Sequence, residues 1–404
     1  MTGAAGNAGL NVFVVACEDS GDNLGASLML ALTARASGSI RFSGVGGHAM
    51  AEQGLKSLFP IGELAIVGFD AVIKKLPMIL RRIRETVVAV KAAAPDVLVI
   101  IDSPDFTHRV ARKVRKIMPG LPIIDYVSPS IWAWRPGRAK VMRGYVDHVL
   151  ALLPFEPAAH ARLGGPACTY VGHPLIETIS RMRPSASEQS QRDGSPPRLL
   201  VLPGSRSNEV RRLLEPFGDA VRLIRERHRD LEVIVPTVPH VADRVKDAVA
   251  RWPGSVRIVL EAEEKWAAFR SARAALAASG TVTLELAMAG VPTVVAYRVS
   301  LFEEMIIRGL IQTQTIVLAN LVLGENVMPE LHQRDVTGER LAATVIPLLE
   351  RSPQRERQLA AFRRIDDLMQ VGRAIPSARA ADIVLAAAIQ AKTPLGPTAS
   401  DGVR

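Results

Sequence analysis

The run PDVLVIID, residues 95–102, decides the fold. Five apolar residues, Val97 to Ile101, stand between Asp96 and Asp102 with nothing polar among them. That continuity predicts a buried strand, since a strand with one wet face alternates apolar and polar residues. Upstream, NVFVVA (11–16) is a second short β-branched run, which ends in polar and glycine residues before NLGASLMLALTARA (23–36) takes up helical spacing. SIRFSGVGG (39–47) adds a strand and loop, and VVAVKAAA (87–94) closes a helix. Downstream, PIIDYVS (122–128) and VDHVLALL (146–153) are further strands. Strands interleaved with helices imply a mostly parallel sheet.

The alternation stops at 181–198, where Ser, Pro, Gln and charged residues replace apolar periodicity, the pattern of a linker. It resumes with RLLVLPGS (198–205), LEVIVPT (231–237), VRIVL (256–260), AALAAS (274–279) and VPTVVAY (291–297). The expected organisation is α/β with two domains, 1–180 and 199–375, then a C-terminal helix and tail, 376–404, which either packs back on the first domain or is exchanged in a dimer and is polar and proline-rich from Thr393. A length of 404 residues favours two cores on size alone.

Fifty basic against forty acidic residues give a net charge of +10, which suits phosphate-bearing substrates, polyanions or an anionic lipid surface without choosing among them. Although 48% of residues are hydrophobic, no apolar run reaches the ~18 residues of a spanning helix. Cys17 and Cys168 have neither metal-ligand spacing nor a disulfide-rich setting, which fits a reducing cytoplasm. Val14 to Cys17 resembles a lipoprotein cleavage site only superficially, because no basic start precedes it; it is read as the first strand.

Polar residues just beyond the strand ends are the candidates for chemistry. In EDSGDNLGA, Glu18, Ser20, Gly21 and Asp22 enter a helix whose free N–H groups suit a ligand, or Ser20 or Asp22 simply caps it. In IIDSPDF, Asp102 and Asp105 flank Pro104; either serves as a general base, or the four residues form an ordinary turn. VSPSIWAWRPGRAK sets Trp132 and Trp134 beside Arg135 and Arg138, a sugar platform and phosphate clamp or an edge of packing. In LLVLPGSRSNEV, Gly204 and Ser205 let amides face a phosphate and Arg206 neutralises it. In LAASGTVTLE, Ser279, Gly280 and Thr281 open a helix, and Glu285, one turn on, reaches a ribose hydroxyl. GVGGHA (44–49) fits a dinucleotide pattern loosely, after the second strand instead of the first. No Asp-x-Asp, His-Glu-x-x-His or cysteine quartet occurs, so no metal and no cofactor is demanded. Ile66, Val67, Phe69, Val72, Ile73 and Leu76 form an apolar patch bordered by Arg81, Arg82 and Arg84, either a core-facing helix or a membrane-docking surface.

Taken together, EDSGDNLGA, GVGG, ELAIVGF, IDSPDF, YVSPSIWAWR, LPFE, GHP, LPGSR, ASGTVTLE and NLVLGENVMPEL resemble the lipid-A-disaccharide synthase family across nearly the whole chain. The resemblance implies a GT-B fold, two Rossmann-like parallel-sheet domains facing a central cleft. It implies an inverting transfer from UDP-2,3-diacylglucosamine to the 6-hydroxyl of 2,3-diacylglucosamine 1-phosphate, giving a β-1,6 disaccharide and UDP. On it, Asp105 takes the proton with Asp102 and Asp96 in support. Arg206 and Ser279 to Thr281 hold the diphosphate, and Glu285 and Asn320 position the donor. The family's first motif usually reads Gly-Glu-Ala-Ser-Gly-Asp; Cys17 and Asp19 replace its small residues here. Because both sugars are acylated, the resemblance also favours peripheral binding to an anionic membrane, on the inner face of the inner membrane of a Gram-negative bacterium, and suggests a homodimer exchanging C-terminal segments. The competing readings are a sugar-nucleotide epimerase, against which the apolar patch argues, and a nucleic-acid-binding protein, for which 4% aromatic residues give few stacking platforms. No nucleic-acid partner is expected.

Overall fold

A computed structural model describes residues 9–64, 69–300, 304, 313, 315–371 and 375–392, and of residues 69–75 it gives the helical backbone. Ile66, Val67 and the tail 393–404 lie outside the described residues, as do the side chains of Phe69, Val72 and Ile73. The chain divides into two compact units, one made of residues 1–174 and 372–404 and the other of 175–371.

The first unit runs β1 (Leu10–Ala16), α1 (Asp19–Arg35), β2 (Ile40–Val45), α2 (His48–Glu52), α3 (Phe69–Ala93), β3 (Val97–Ile101), α4 (Pro104–Ile117), β4 (Ile123–Tyr126), α5 (Gly137–Met142), β5 (His148–Ala151), α6 (Glu156–Arg162) and β6 (Ala167–Tyr170). Its strands form one parallel sheet in the order β2-β1-β3-β4-β5-β6, with Val12 beside Val97 and Val14 beside Val99. All five residues of β3 are fully buried, as an unbroken apolar run between two neighbouring strands requires. Alternate residues feed two cores: Val97, Val99 and Ile101 join Leu28 and Met29 on one face, and Leu98 and Ile100 join Val110 and Val114 on the other. Full burial of each such side chain contributes about 1.5–3 kcal/mol.

The second unit runs α7 (Leu175–Met182), α8 (Ala186–Arg192), β7 (Arg198–Leu202), α9 (Ser207–Arg227), β8 (Glu232–Pro236), α10 (Ala242–Val249), β9 (Val256–Val259), α11 (Ala262–Ser271), β10 (Ala274–Ala278), α12 (Val282–Met288), β11 (Thr293–Tyr297), α13 (Leu318–Leu323), β12 (Glu330–His332), α14 (Gly338–Leu349) and α15 (Pro353–Leu368). Its sheet is again parallel, ordered β12-β11-β10-β7-β8-β9. A final helix, α16 (Pro376–Lys392), belongs to the first unit, where Ala380, Ala381, Val384 and Ala388 share a core with Leu28, Met29 and Leu32 of α1. Arg35 Nε lies 2.8 Å from Asp382 and Lys392 Nζ 3.0 Å from Asp96, tying that helix down near its middle and at its last residue.

The stretch 181–198, expected as a linker, is folded into the second unit. Ser185 and Glu188 form a reciprocal capping box that starts α8. At the other end, the buried Arg192 guanidinium donates to the carbonyls of Phe269, Arg270, Ala289 and Gly290. Polar composition misled here because its charged residues satisfy helix-end carbonyls, a structural use that hydropathy does not see. Among the described residues no helix is long and apolar enough to cross a membrane.

Candidate active site

In the first unit, β1 and β3 are adjacent, so the turns that follow them meet. Asp102 and Ser103 both take left-handed backbone conformations, φ 52° and 46°, costly for residues with a side chain. Local bonds hold the turn: the Ser103 N–H donates to Asp102 Oδ1 at 2.7 Å, and the Thr107 hydroxyl to the Asp102 carbonyl at 2.6 Å. The Ser103 hydroxyl donates to Glu18 Oε1 at 2.9 Å, and Ser20 Oγ lies 3.5 Å from Asp102 Oδ2. Glu18, Ser20 and Asp102 are thus one polar cluster. At Gly21 a Cβ would make only ordinary contacts with Ala16 and Ile101, so packing of α1 against the sheet does not by itself demand glycine there.

Pro104 begins α4, where its missing N–H costs nothing, and Asp105 follows with its side chain 93% exposed. Arg138 Nη2 stands 3.9 Å from Asp105 Oδ1. The guanidinium groups of Arg135 and Arg138 lie 4.5 and 5.8 Å from the Trp134 ring. This aromatic and basic loop is anchored from within: the Trp132 indole N–H donates to Glu156 Oε1 at 3.2 Å, and the Leu153 N–H to Glu156 Oε2 at 2.9 Å. Burial pushes the Glu156 carboxyl up to about 7, against the pull of those donors. Underneath α4, His108 Nε2 lies 3.1 Å from the fully buried Asp125 of β4, tying to the sheet the helix that carries Asp105. Cys17 is buried beside Glu18; burial first, then the charges of Glu18 and Asp102, push its thiol well above the usual range, which makes it a packing residue.

Three expected site residues have other work. Asp96 precedes β3 at the end opposite Asp102, roughly 20 Å away by strand rise. It accepts from the Asn11 N–H at 2.8 Å and pairs with Lys392, so it ties down the amino end of β3, away from Asp105. Asp22 is 4% exposed, and its carboxylate accepts the N–H groups of Gly47, Ala49 and Met50 at 2.7, 2.8 and 3.1 Å. It caps α2 from another helix, and so engages the Gly47 and Ala49 amides of the GVGGHA motif. Asn320 is 1% exposed and spends its side chain on the Val327 and Met328 N–H groups, the Met328 carbonyl and Glu330. It fixes the loop before β12 and has no amide left for a donor sugar.

In the second unit the remaining candidates converge. Ser205, Arg206, Ser279, Gly280, Thr281 and Glu285 line one cavity of about 350 Å³ at the carboxyl ends of β7, β8 and β10. Gly204, at φ 107°, passes so close to Glu209 that a Cβ would sit 2.7 Å from its carboxylate, so only glycine suits this turn. Arg206 occupies the N-cap position of α9, is 83% exposed, and donates to Glu209 Oε1 at 2.9 Å. Glu285 is held by Lys265, whose Nζ lies 2.6 Å from Oε2. Lys265, Glu209 and Thr237 line the same cavity and were not foreseen. Thr237 obeys the strand-end rule and was readable from LEVIVPT; Lys265, inside a helix, carries no local signal. Exposed amides, an exposed cation and a fixed carboxylate together suit a nucleoside diphosphate. Among the described residues no cluster of three or more His, Cys, Asp or Glu is placed to hold a metal ion.

The family model described as lipid-A-disaccharide synthetase matches residues 12–384. A lipid-A-disaccharide synthase of Nitrobacter winogradskyi is 58% identical over 95% of this chain and 97% of its own length. Among solved structures, a UDP-GlcNAc 2-epimerase from Neisseria meningitidis bound to UDP-GlcNAc superposes with a TM-score of 0.59 at 10% identity, covering 95% of this chain and all of that one. The calicheamicin glycosyltransferase CalG4 does so with 0.56 at 17%, covering 94% and 98%. At such identities the structural likeness shows the GT-B fold and no more.

Proposed function

The chain belongs to the lipid-A-disaccharide synthetase family, and on that premise we propose how its residues divide the transfer. It is a UDP-sugar glycosyltransferase of GT-B fold that forms the lipid A disaccharide. The observation that carries the assignment of roles is the cavity of the second unit, where Ser205, Arg206, Ser279, Gly280, Thr281 and Glu285 meet.

The donor is UDP-2,3-diacylglucosamine and the acceptor 2,3-diacylglucosamine 1-phosphate. The acceptor's 6-oxygen attacks the anomeric carbon, a new C–O bond forms as the bond to the β-phosphate breaks, and inversion turns an α link into a β link. The hydroxyl proton passes to Asp105, an exposed carboxylate next to Arg138. Asp102 with Glu18 and Ser20 shapes the turn that presents it. The departing diphosphate gathers charge, which Arg206 and the amides at Ser205 and Gly280 to Thr281 meet. Glu285 accepts from the ribose hydroxyls. Asn320 acts at one remove, through the loop it fixes.

An epimerase of the same fold would act on the nucleotide sugar alone. Incubated with UDP-diacylglucosamine, the protein should release UDP only when the acceptor is added, and mass spectrometry should find the joined disaccharide. UDP release or sugar isomerisation without acceptor would overturn the reading.

The acylated substrates place the protein at an anionic bilayer, with α3 as the docking element. Leu76 on that helix is 42% exposed, and Arg81 and Arg84 are exposed beside it. Replacing Val67, Phe69 and Leu76 together by serine should release the protein from anionic vesicles in a flotation assay. Unchanged partition would remove α3 from that role.

A further inference from the structure

The second-unit cavity contains a polar group that the phosphate and ribose roles leave unused. Thr237 follows β8, is 9% exposed and lines the cavity. Its backbone is fixed by an N–H bond of 2.9 Å to the Val259 carbonyl, yet its buried hydroxyl has no hydrogen-bond partner among the described residues. The flanking walls, Pro236 and Val238, offer none. A desolvated hydroxyl without a partner is destabilising, and such groups in folded proteins generally find their partner in something that binds.

The order of the strands says what that is. Ser279 to Thr281 follow β10, Ser205 and Arg206 follow β7, and Thr237 follows β8, in the spatial order β10-β7-β8. At the ordinary strand spacing Thr237 stands about 10 Å from the β10 end of the cavity. The amides and Arg206 mark where the diphosphate belongs. Glu285, held by Lys265, repels phosphate and suits a diol. What lies beyond, against Thr237, is then the nucleobase.

We propose that Thr237 is the specificity residue for the pyrimidine, its hydroxyl bonding a carbonyl oxygen or the ring N–H of uracil; this rests on reading the cavity as the UDP site. A hydroxyl serves either polarity because it both donates and accepts. Valine matches threonine in shape and lacks the hydroxyl, so Thr237→Val removes this bond and nothing else in the described structure.

The test is calorimetric titration of the full-length protein and three variants with UDP. Thr237→Val should weaken binding about tenfold, equivalent to 1.4 kcal/mol, with Thr237→Ser keeping the parental affinity. Preference for UDP over ADP should narrow in the valine variant. Its thermal midpoint should hold or rise, because the folded protein gives up no internal bond; a fall with unchanged UDP affinity would show a structural hydroxyl and overturn the proposal. Parental UDP binding by Thr237→Val alongside its loss in Arg206→Ala would overturn the nucleobase role and leave the site standing. Parental binding by both variants would remove the site itself.

Discussion

Asp105→Ala should lower disaccharide formation by about 10²- to 10⁴-fold, the range general-base removal commonly costs, while UDP affinity and thermal midpoint stay at parental values. The side chain is 93% exposed and its neighbour is Arg138 at 3.9 Å, so little folding energy rests on it. Exposed substitutions of that kind usually change stability by less than about 0.5 kcal/mol. Steady-state assay with saturating donor, beside a melting curve, gives the comparison. Asp102→Asn separates the two carboxylates: Asp102 is engaged by the Ser103 N–H, and an amide oxygen can keep accepting that bond, so the loss should be smaller. Near-parental turnover by Asp105→Ala would move the base to another group.

Arg206→Ala should cost about 10²- to 10³-fold in kcat/KM, the loss seen when one preorganised donor to a developing negative charge is removed. The guanidinium is 83% exposed and among the described residues is paired with Glu209, an exposed ion pair that a phosphate can replace. Arg206→Lys should recover part of the rate, because an ammonium supplies charge without the bidentate geometry. UDP product inhibition should weaken in parallel. If Arg206→Ala raised KM for the acceptor and left UDP inhibition untouched, the guanidinium would belong to the acceptor.

Most of the architecture could be read because β1, β3, β7 and β8 carry contiguous apolar runs bounded by polar turns. PDVLVIID, NVFVVA, RLLVLPGS and LEVIVPT became β3, β1, β7 and β8. Two edge strands escaped. Ala167–Tyr170 and Glu330–His332 are short, partly exposed and mixed in polarity, so hydropathy does not mark them. The pocket residues were legible by position, at strand ends with glycine nearby. Asp96, Asp22 and Asn320 were misassigned for a common reason: a polar residue beside a motif looks the same whether it faces a ligand or satisfies the backbone. Only their partners, the Asn11 N–H with Lys392, the start of α2, and the 327–328 loop, distinguish the two uses.

The placement of α16 has a bearing on how the protein comes into being. Residues 175–371 form an uninterrupted block, whereas the other unit needs residues from both before and after that block at once. During synthesis the earlier sheet emerges first, but the apolar side of α1 at Leu28 and Leu32 stays uncovered until Val384 and Ala388 have left the ribosome. The usual amino-to-carboxyl order of domain completion is thereby reversed. The middle of the gene product closes its core before the beginning does, and a nascent chain halted at any point before α16 carries an unfinished hydrophobic face.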